Sequence, residues 1–517
     1  MNRREFLGKL SVVPFYSGSL YLLNMACSRL NTEKPNIVII YADDLGYGDL
    51  SCYGATQVET PNIDRIAKEG IQFTNAYATA ATCTPSRYSL LTGQYAWRRQ
   101  GTGIAPGDAS LIIPTDVKTL PSMLGIAGYT SAVVGKWHLG LGKVKPDWNG
   151  DVKPGPLEIG FDYSFIIPAT GDRVPCVYLE NHRVVGLDPE DPIEVSFGEK
   201  IGDEPTGISH PELLKMKADR QHSETIVNGI SRIGYMKGGQ KARWVDENIA
   251  DVITGKALDF IQQNRNQPFF LYFSLHDIHV PRVPNPRFVG NTKMGPRGDA
   301  IVQADWCVGE ILKKLDNFGL TKNTLIIFSS DNGPVLNDGY EDNAVEKNGS
   351  HNMTGGLRGG KYSSFEAGTR IPFLIRWPGK INPDESDALI SQIDLFASFA
   401  RLTHQSLNKN DAPDSIDNLS ALMGNGKHGR DYVVQEAMGG PLSVRLKEWK
   451  YIEPNDGPKI FVNKNIESGR DKNVQLYDVI SDPGEKTNVA EKYPEIVNKM
   501  ETLLNQIKEN GDRFIRH

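Results

Sequence analysis

"PNIVIIYADDLGYGD", residues 35–49, joins an unbroken apolar run, Ile37 to Tyr41, to two adjacent carboxylates, Asp43 and Asp44. A largely β-branched strand with no charged position on either face must be covered on both sides, as happens inside a parallel sheet flanked by helices. The segment therefore predicts an α/β fold with the aspartates delivered at the carboxyl end of a central strand. Ligands of open parallel sheets bind at that edge.

The flanking sequence repeats the pattern. "TPNIDRIAKEGIQFTNAY" predicts a short helix, with Thr60 as cap, Pro61 at the first position and Gly70 at the end, followed by a strand at Ile71 to Phe73. "LPSMLGIAGYTSAVVGKWHLG" predicts helix, turn and strand, then a loop carrying Lys136 and His138. "PFFLYFSLHDIHVP" and "NTLIIFSSDNGP" are two more apolar strands, ending in His276 and His279 and in Asp331 and Asn332. The stretch "TCTPSRYSLLTG", residues 82–93, reads as a predominantly polar loop around Cys83.

Residues 172–244 are weakly patterned and polar, as expected of an insertion covering the ligand edge. The large sheet is expected to end after "RIPFLIRWPG". Beyond about Asp411, "YVVQEA", "SVRLKEWKYI" and "VQLYDVISDPGEKTNVA" predict a smaller antiparallel sheet closed by a C-terminal helix. The expected organisation is a leader at 1–27, a catalytic α/β domain at 33–405 and a C-terminal subdomain at 406–517.

The first residues suggest export. Arg3 and Arg4 precede a modestly apolar stretch, Leu10 to Ala26, that ends at Cys27. Pro14, Ser17 and Gly18 interrupt it, so it is too short and polar for a stable transmembrane span. Cys27 is placed to be the lipidated first residue of a bacterial lipoprotein, and cleavage nearby without lipid is the other reading. A periplasmic or cell-surface location follows from either.

With 517 residues, 39% hydrophobic and 23% charged, the chain has ordinary globular composition. Its formal net charge of −6 argues against nucleic acid as a main partner, whereas cations gathered in a cleft still allow an anionic substrate. Five cysteines are too few for a disulfide framework, so Cys52, Cys176 and Cys307 are expected to be small buried residues, or one pair and one thiol.

Asp43, Asp44, Asp331 and Asn332 are hard oxygen donors at strand ends, the type that holds Ca²⁺ more readily than zinc, with Mg²⁺ a lesser candidate. One Asp-Asp pair is commonly a solvated loop; two such pairs at separate strand ends favour a cation. Lys136 and Lys361 are suited to an anion's oxygens, and His138 and His279 to acid and base work near neutral pH. The glycines of "GGLRGGKYSSFEAGTR" let backbone come close to a ligand beside Lys361.

Taken together these segments resemble the type I sulfatases. Ala81 to Gly93, centred on Cys83-Thr84-Pro85-Ser86-Arg87, looks like the first family motif, and Gly128 to His138 like the second. The resemblance implies an alkaline-phosphatase-like fold, a large mostly parallel sheet sandwiched by helices with a smaller C-terminal antiparallel sheet. It also implies that Cys83 is oxidised to Cα-formylglycine by a maturation enzyme that reads Pro85 and Arg87. One hydroxyl of the hydrated aldehyde attacks sulfur, and the other then expels sulfate.

Carried over, Asp43, Asp44, Asp331, Asn332 and modified Cys83 coordinate calcium, Arg87 holds the formylglycine, and Lys136 and Lys361 neutralise the sulfate. His138 is the base, and His279 protonates the departing alcohol with help from Lys361. "FIIPATGDRVPCVYLENHRVVGLDP" resembles bacterial carbohydrate sulfatases acting on galactose or N-acetylgalactosamine 6-sulfate. In that resemblance Thr170, Asp172, Arg173 and His222 are substrate-binding; a local Asp172–Arg173 ion pair with a surface His222 is the alternative. A 4-O or 3-O carbohydrate sulfatase, a phosphate or phosphonate ester hydrolase and a non-catalytic binder of sulfated glycan are the competing functions.

Overall fold

The computed structural model describes residues 34–510. Its large sheet contains ten strands: β1 (Asn36–Ala42), β2 (Ile71–Phe73), β3 (Thr130–Lys136), β4 (Tyr163–Ile167), β5 (Leu179–Glu180), β6 (Arg183–Val184), β7 (Phe269–Ser274), β8 (Thr324–Ser330), β9 (Phe373–Arg376) and β10 (Asp384–Ser386). Their order is β10-β2-β9-β8-β1-β7-β3-β4-β5-β6. The five central strands, β8 through β4, run parallel.

Every residue of β1, β7 and β8 is buried, as their apolar sequences require. The cover comes in two groups of mutually packed helices. Pro61–Lys68, Ile249–Gln263 and Pro296–Asn317 form one; Cys83–Thr92, Leu120–Ile126 and Leu395–Leu402 form the other.

Register brings the chemistry together. Ala42 of β1 pairs with Ser330 of β8, Tyr41 with Ser274 of β7, and Ser274 with Gly135 of β3. Four adjacent strands thus end at one level, and each is followed by polar residues singled out from sequence. A Cβ on Gly135 would overlap the Ser274 carbonyl, so this position needs glycine for β3 and β7 to approach.

A second sheet is antiparallel, in the order β11 (Tyr432–Glu436), β12 (Leu442–Leu446), β13 (Trp449–Ile452) and a fourth strand, Gln475–Asp478. Helix Pro494–Glu509 closes it by packing Met500, Leu503, Leu504 and Ile507 against Val434, Val444, Tyr451 and Leu476. Between β13 and that fourth strand lies a small hairpin, Ile460–Phe461 paired with Ile466–Glu467.

Four sequence expectations are corrected. The large sheet does not end with β9, because β10 adds alongside β2. The Cys83 stretch is a buried helix, Cys83–Thr92, whose polar residues face other buried polar groups and so leave no apolar stripe. The Thr60 side chain does not cap its helix; its hydroxyl bonds Ser51 and Asp64 instead. The described cysteines are all free, and Cys52 is only half-buried, while Cys176 and Cys307 lie in the core. Cys27 and the leader fall outside the described residues, among which no helix is long and apolar enough to cross a membrane.

Candidate active site

The four strand ends form a floor of charged groups with almost no access to water. Asp43 and Asp44 follow β1, Asp331 and Asn332 follow β8, and Lys136 closes β3. Lys136 Nζ lies 2.5 Å from Asp43 Oδ2, and Lys361 Nζ lies 2.7 Å from Asp44 Oδ2. The Arg87 guanidinium donates to Asp331 Oδ2 at 2.9 and 2.7 Å and also bonds Ser274 Oγ. Arg87 therefore braces the acidic cluster from beneath.

These residues fit a hard cation. Asp43 Oδ1 and Asn332 Oδ1 are buried oxygens that meet no hydrogen-bond donor, an arrangement that is costly unless another positive group fills it. Burial pushes the Asp43 carboxyl well above the usual carboxylate range; Lys136 opposes this, while Asp331 and Asp44 add to it. A divalent ion among Asp43, Asp44, Asp331 and Asn332 would relieve both penalties with oxygen ligands alone. Asp44 and Asp43 also converge with His279, whose Nε2 is 3.8 Å from Asp44 Oδ2.

Above the floor opens a cavity of about 730 Å³ lined by Cys83, His138, Asp172, Arg173, His222, His279 and Lys361, among others. Cys83 begins its helix, and its Sγ lies 3.2 Å from His138 Nδ1. Burial pushes the Cys83 thiol up, and Lys136 and Lys361 only partly oppose that. The unmodified side chain is thus a protonated thiol and a weak nucleophile.

The His138 Nε2 faces the Ala105 carbonyl at 2.8 Å. A carbonyl only accepts, so Nε2 carries the hydrogen and the neutral ring leaves Nδ1 bare toward residue 83. Burial, with Lys136 and Arg173, lowers His138 well below its ordinary value, keeping it neutral and ready to accept a proton. His279 is fixed in the complementary tautomer, its Nδ1 donating to the Val280 carbonyl at 2.7 Å. Burial, Lys361 and Lys136 push it down as well.

The opposite wall comes from the 172–244 segment. Arg173 donates to both Asp172 oxygens, at 2.7 and 2.8 Å, and to Thr170 Oγ1 at 2.8 Å, and the Thr170 hydroxyl also bonds Asp172. The local ion pair therefore exists, yet both members face the cavity. His222 is buried, with Nδ1 2.7 Å from Asp219 and Nε2 3.4 Å from Asp172. Burial would lower His222, but hydrogen bonds to Asp172 and Asp219 outweigh it and raise the ring above its ordinary value. Gly339 permits this packing, because a Cβ there would overlap His222 Nδ1.

A family model described as Sulfatase matches residues 35–405. The chain belongs to the sulfatase family. The sulfatase is 56% identical over 479 residues, 92% of its length and 94% of the relative's, to the N-acetylgalactosamine-6-O-sulfatase of Bacteroides thetaiotaomicron. Human arylsulfatase A is 30% identical over 93% of this chain and 89% of its own. A solved structure described under the metabolism of multiple glycosaminoglycans by Bacteroides thetaiotaomicron superposes with a TM-score of 0.92 at 55% identity, covering 93% of this chain and all of that one. A Pseudoalteromonas sulfatase at 24% identity and TM-score 0.68, covering 96% and 94%, shares the fold. The protein is accordingly a sulfuric ester hydrolase with an alkaline-phosphatase-like fold.

In this sulfatase the residues chosen from sequence separate into layers. Cys83, His138, His279, Lys361, Asp172, Arg173 and His222 line the cavity, whereas Asp43, Asp44, Arg87, Lys136, Asp331 and Asn332 lie in the buried floor. Thr170 stands behind the wall, bound to Arg173 and Asp172. Buried His276, three residues before His279, has an Nδ1 without a partner and packs against Gly171.

Sequence reasoning missed Asp338. Its carboxylate lines the cavity and takes Lys361 Nζ at 2.9 Å, Lys464 Nζ at 2.6 Å and the Tyr362 hydroxyl at 2.9 Å. Nothing local marks it, since Asp338 lies in the irregular stretch after β8 and its three partners come from two other segments.

Proposed function

We propose that this sulfatase hydrolyses 6-O-sulfate esters of galactose or N-acetylgalactosamine in glycans, using formylglycine made from Cys83 by a maturation enzyme and calcium held by Asp43, Asp44, Asp331 and Asn332. The observation that carries the reading is Cys83 itself: buried, lining the cavity and 3.2 Å from a His138 nitrogen. A thiol in that place is chemically idle, while a hydrated aldehyde there would have a base in reach. The named relative supports the sugar and position.

When present, formylglycine and calcium supply a two-hydroxyl carbon at position 83 and the positive charge that sharpens one hydroxyl as a nucleophile. The chain does the rest. Lys361 reaches the cavity and Lys136 underlies it, so both set positive potential where sulfate oxygens gather charge. His138 Nδ1 removes the proton that allows sulfate to leave, its tautomer held by Ala105. His279 Nε2 delivers a proton to the departing sugar oxygen; the arriving anion opposes the lysines that otherwise keep the ring neutral. Asp172, Arg173 and His222 are placed to hydrogen-bond sugar hydroxyls.

Peptide mass spectrometry of protein made with a maturation enzyme tests the first part: the Cys83 fragment should be lighter by roughly 18 Da than its cysteine form. Unmodified Cys83, in a host that converts another sulfatase, leaves binding without hydrolysis. Turnover of 6-, 4- and 3-sulfated galactosides, with a 6-phosphate control, tests the second part, and preference for any ester but the 6-sulfate overturns it. Export to the periplasm or cell surface, with Cys27 as a candidate lipid anchor, belongs to the same proposal. Release of the protein from membranes by Cys27→Ala checks the anchor.

A further inference from the structure

The hairpin Ile460–Phe461/Ile466–Glu467 is fastened to the large sheet's loops by polar bonds, yet two of its aliphatic side chains are uncovered. Lys464 Nζ meets Asp338 at 2.6 Å, Asn337 Nδ2 donates to the Asn463 carbonyl at 3.1 Å, and Ser363 Oγ to the Glu467 carbonyl at 2.6 Å. Arg358 pairs with Glu467 at 2.6 Å, and the Phe461 ring stands edge-on to Tyr362 with centroids 6.1 Å apart. These bonds reach residues adjoining the catalytic Lys361, so the hairpin is held in register with the site. Ile460 and Val462 nonetheless remain 46% and 82% exposed.

Both line the mouth of the catalytic cavity, and Ile104, itself 36% exposed, lines it too. Lone exposed aliphatics are ordinary, but three partly exposed ones lining the same cavity, above a charged floor, give it an apolar lip. Lys464, the lip's own cation, is engaged by Asp338, so the lip offers shape and apolar contact rather than charge. That chemistry suits the CH face of a neutral sugar ring better than a second sulfate or carboxylate.

We infer that Ile460, Val462 and Ile104 form a subsite for the sugar ring next to the sulfated residue, so that the enzyme takes an oligosaccharide in preference to a monosaccharide. The inference rests on the proposed 6-O-sulfatase reading. Ile104, Ile460 and Val462 line the same cavity as Asp172, Arg173 and His222, so their occupant is the next part of the same molecule.

The test uses the full matured protein with N-acetylgalactosamine 6-sulfate alone and as the terminal residue of a disaccharide. The wild-type kcat/KM should favour the disaccharide, and Val462→Asp and Ile460→Ser should each reduce the disaccharide-to-monosaccharide ratio, by about tenfold together. A ratio that the variants leave unchanged overturns the subsite, whatever else they alter, including attachment to membranes or other proteins. Failure of the wild type to hydrolyse either compound overturns the 6-O reading itself and the subsite with it.

Discussion

Asp49 closes the turn that follows Asp43 and Asp44, the aspartates proposed to hold calcium, and removing its charge should damage both stability and cation binding. Asp49 Oδ1 and Oδ2 accept from Arg297 at 2.8 and 2.7 Å, Oδ2 accepts from the Gly46 amide at 2.7 Å, and His351 Nε2 is 2.7 Å from Oδ1. All of these side chains are buried, and Arg297 Nε already has no partner. Asp49→Asn keeps the shape but leaves the Arg297 guanidinium as an uncompensated buried charge, at a cost of about 3–5 kcal/mol. Against a typical total of about 5–15 kcal/mol, that is a large share.

Equilibrium urea unfolding should show the loss as a lower midpoint at unchanged slope. The double variant Asp49→Leu/Arg297→Met should recover most of it, because it strands no charge. Burial would raise Asp49, but Arg297 and His351 outweigh it and hold the carboxyl below the usual value near 3.8. Its contribution is therefore present above that pH and lost as pH falls through the folded-state value. In the same variant the calcium concentration for half-maximal activity should rise, since Gly46 to Asp49 anchors the Asp43–Asp44 strand end. A single-variant loss below about 1 kcal/mol, or a double variant no better than the single, would refute the reasoning.

Three further outcomes are expected. His138→Ala should lower kcat by roughly 10²–10⁴ with little change in KM, and a change confined to KM would remove it from the base role. His222, raised above its ordinary value by Asp172 and Asp219, should support substrate binding while protonated and cease to do so as pH rises through its folded value. KM should accordingly climb on the alkaline side, and His222→Gln should flatten that climb. Calcium at one hundred times its Kd should stabilise the protein by about 2.7 kcal/mol; an unfolding midpoint unmoved by chelation and re-addition would show that Asp43 and its neighbours hold no ion.

Much of this protein was legible from one dimension. The apolar runs of β1, β7 and β8 could exist only inside a covered parallel sheet, and each strand's end named its own chemistry: Asp43 and Asp44, His276 and His279, Asp331 and Asn332. Local composition was sufficient because burial on both faces leaves no freedom in residue type.

Tertiary structure decided what depends on the meeting of distant segments. The Cys83 helix has no apolar stripe, since it is buried on every side with polar and apolar residues alike turned inward, so its periodicity said loop. Asp338 became part of the site only because Lys361 and Lys464, brought from separate regions, converge on its carboxylate. The Asp172–Arg173 pair and His222 likewise lie fifty residues apart on a poorly patterned segment, and only the fold turns a local salt bridge into a cavity wall. Periodicity records whether a residue is buried; it carries no record of which buried charge will stand opposite, and that pairing sets the chemistry here.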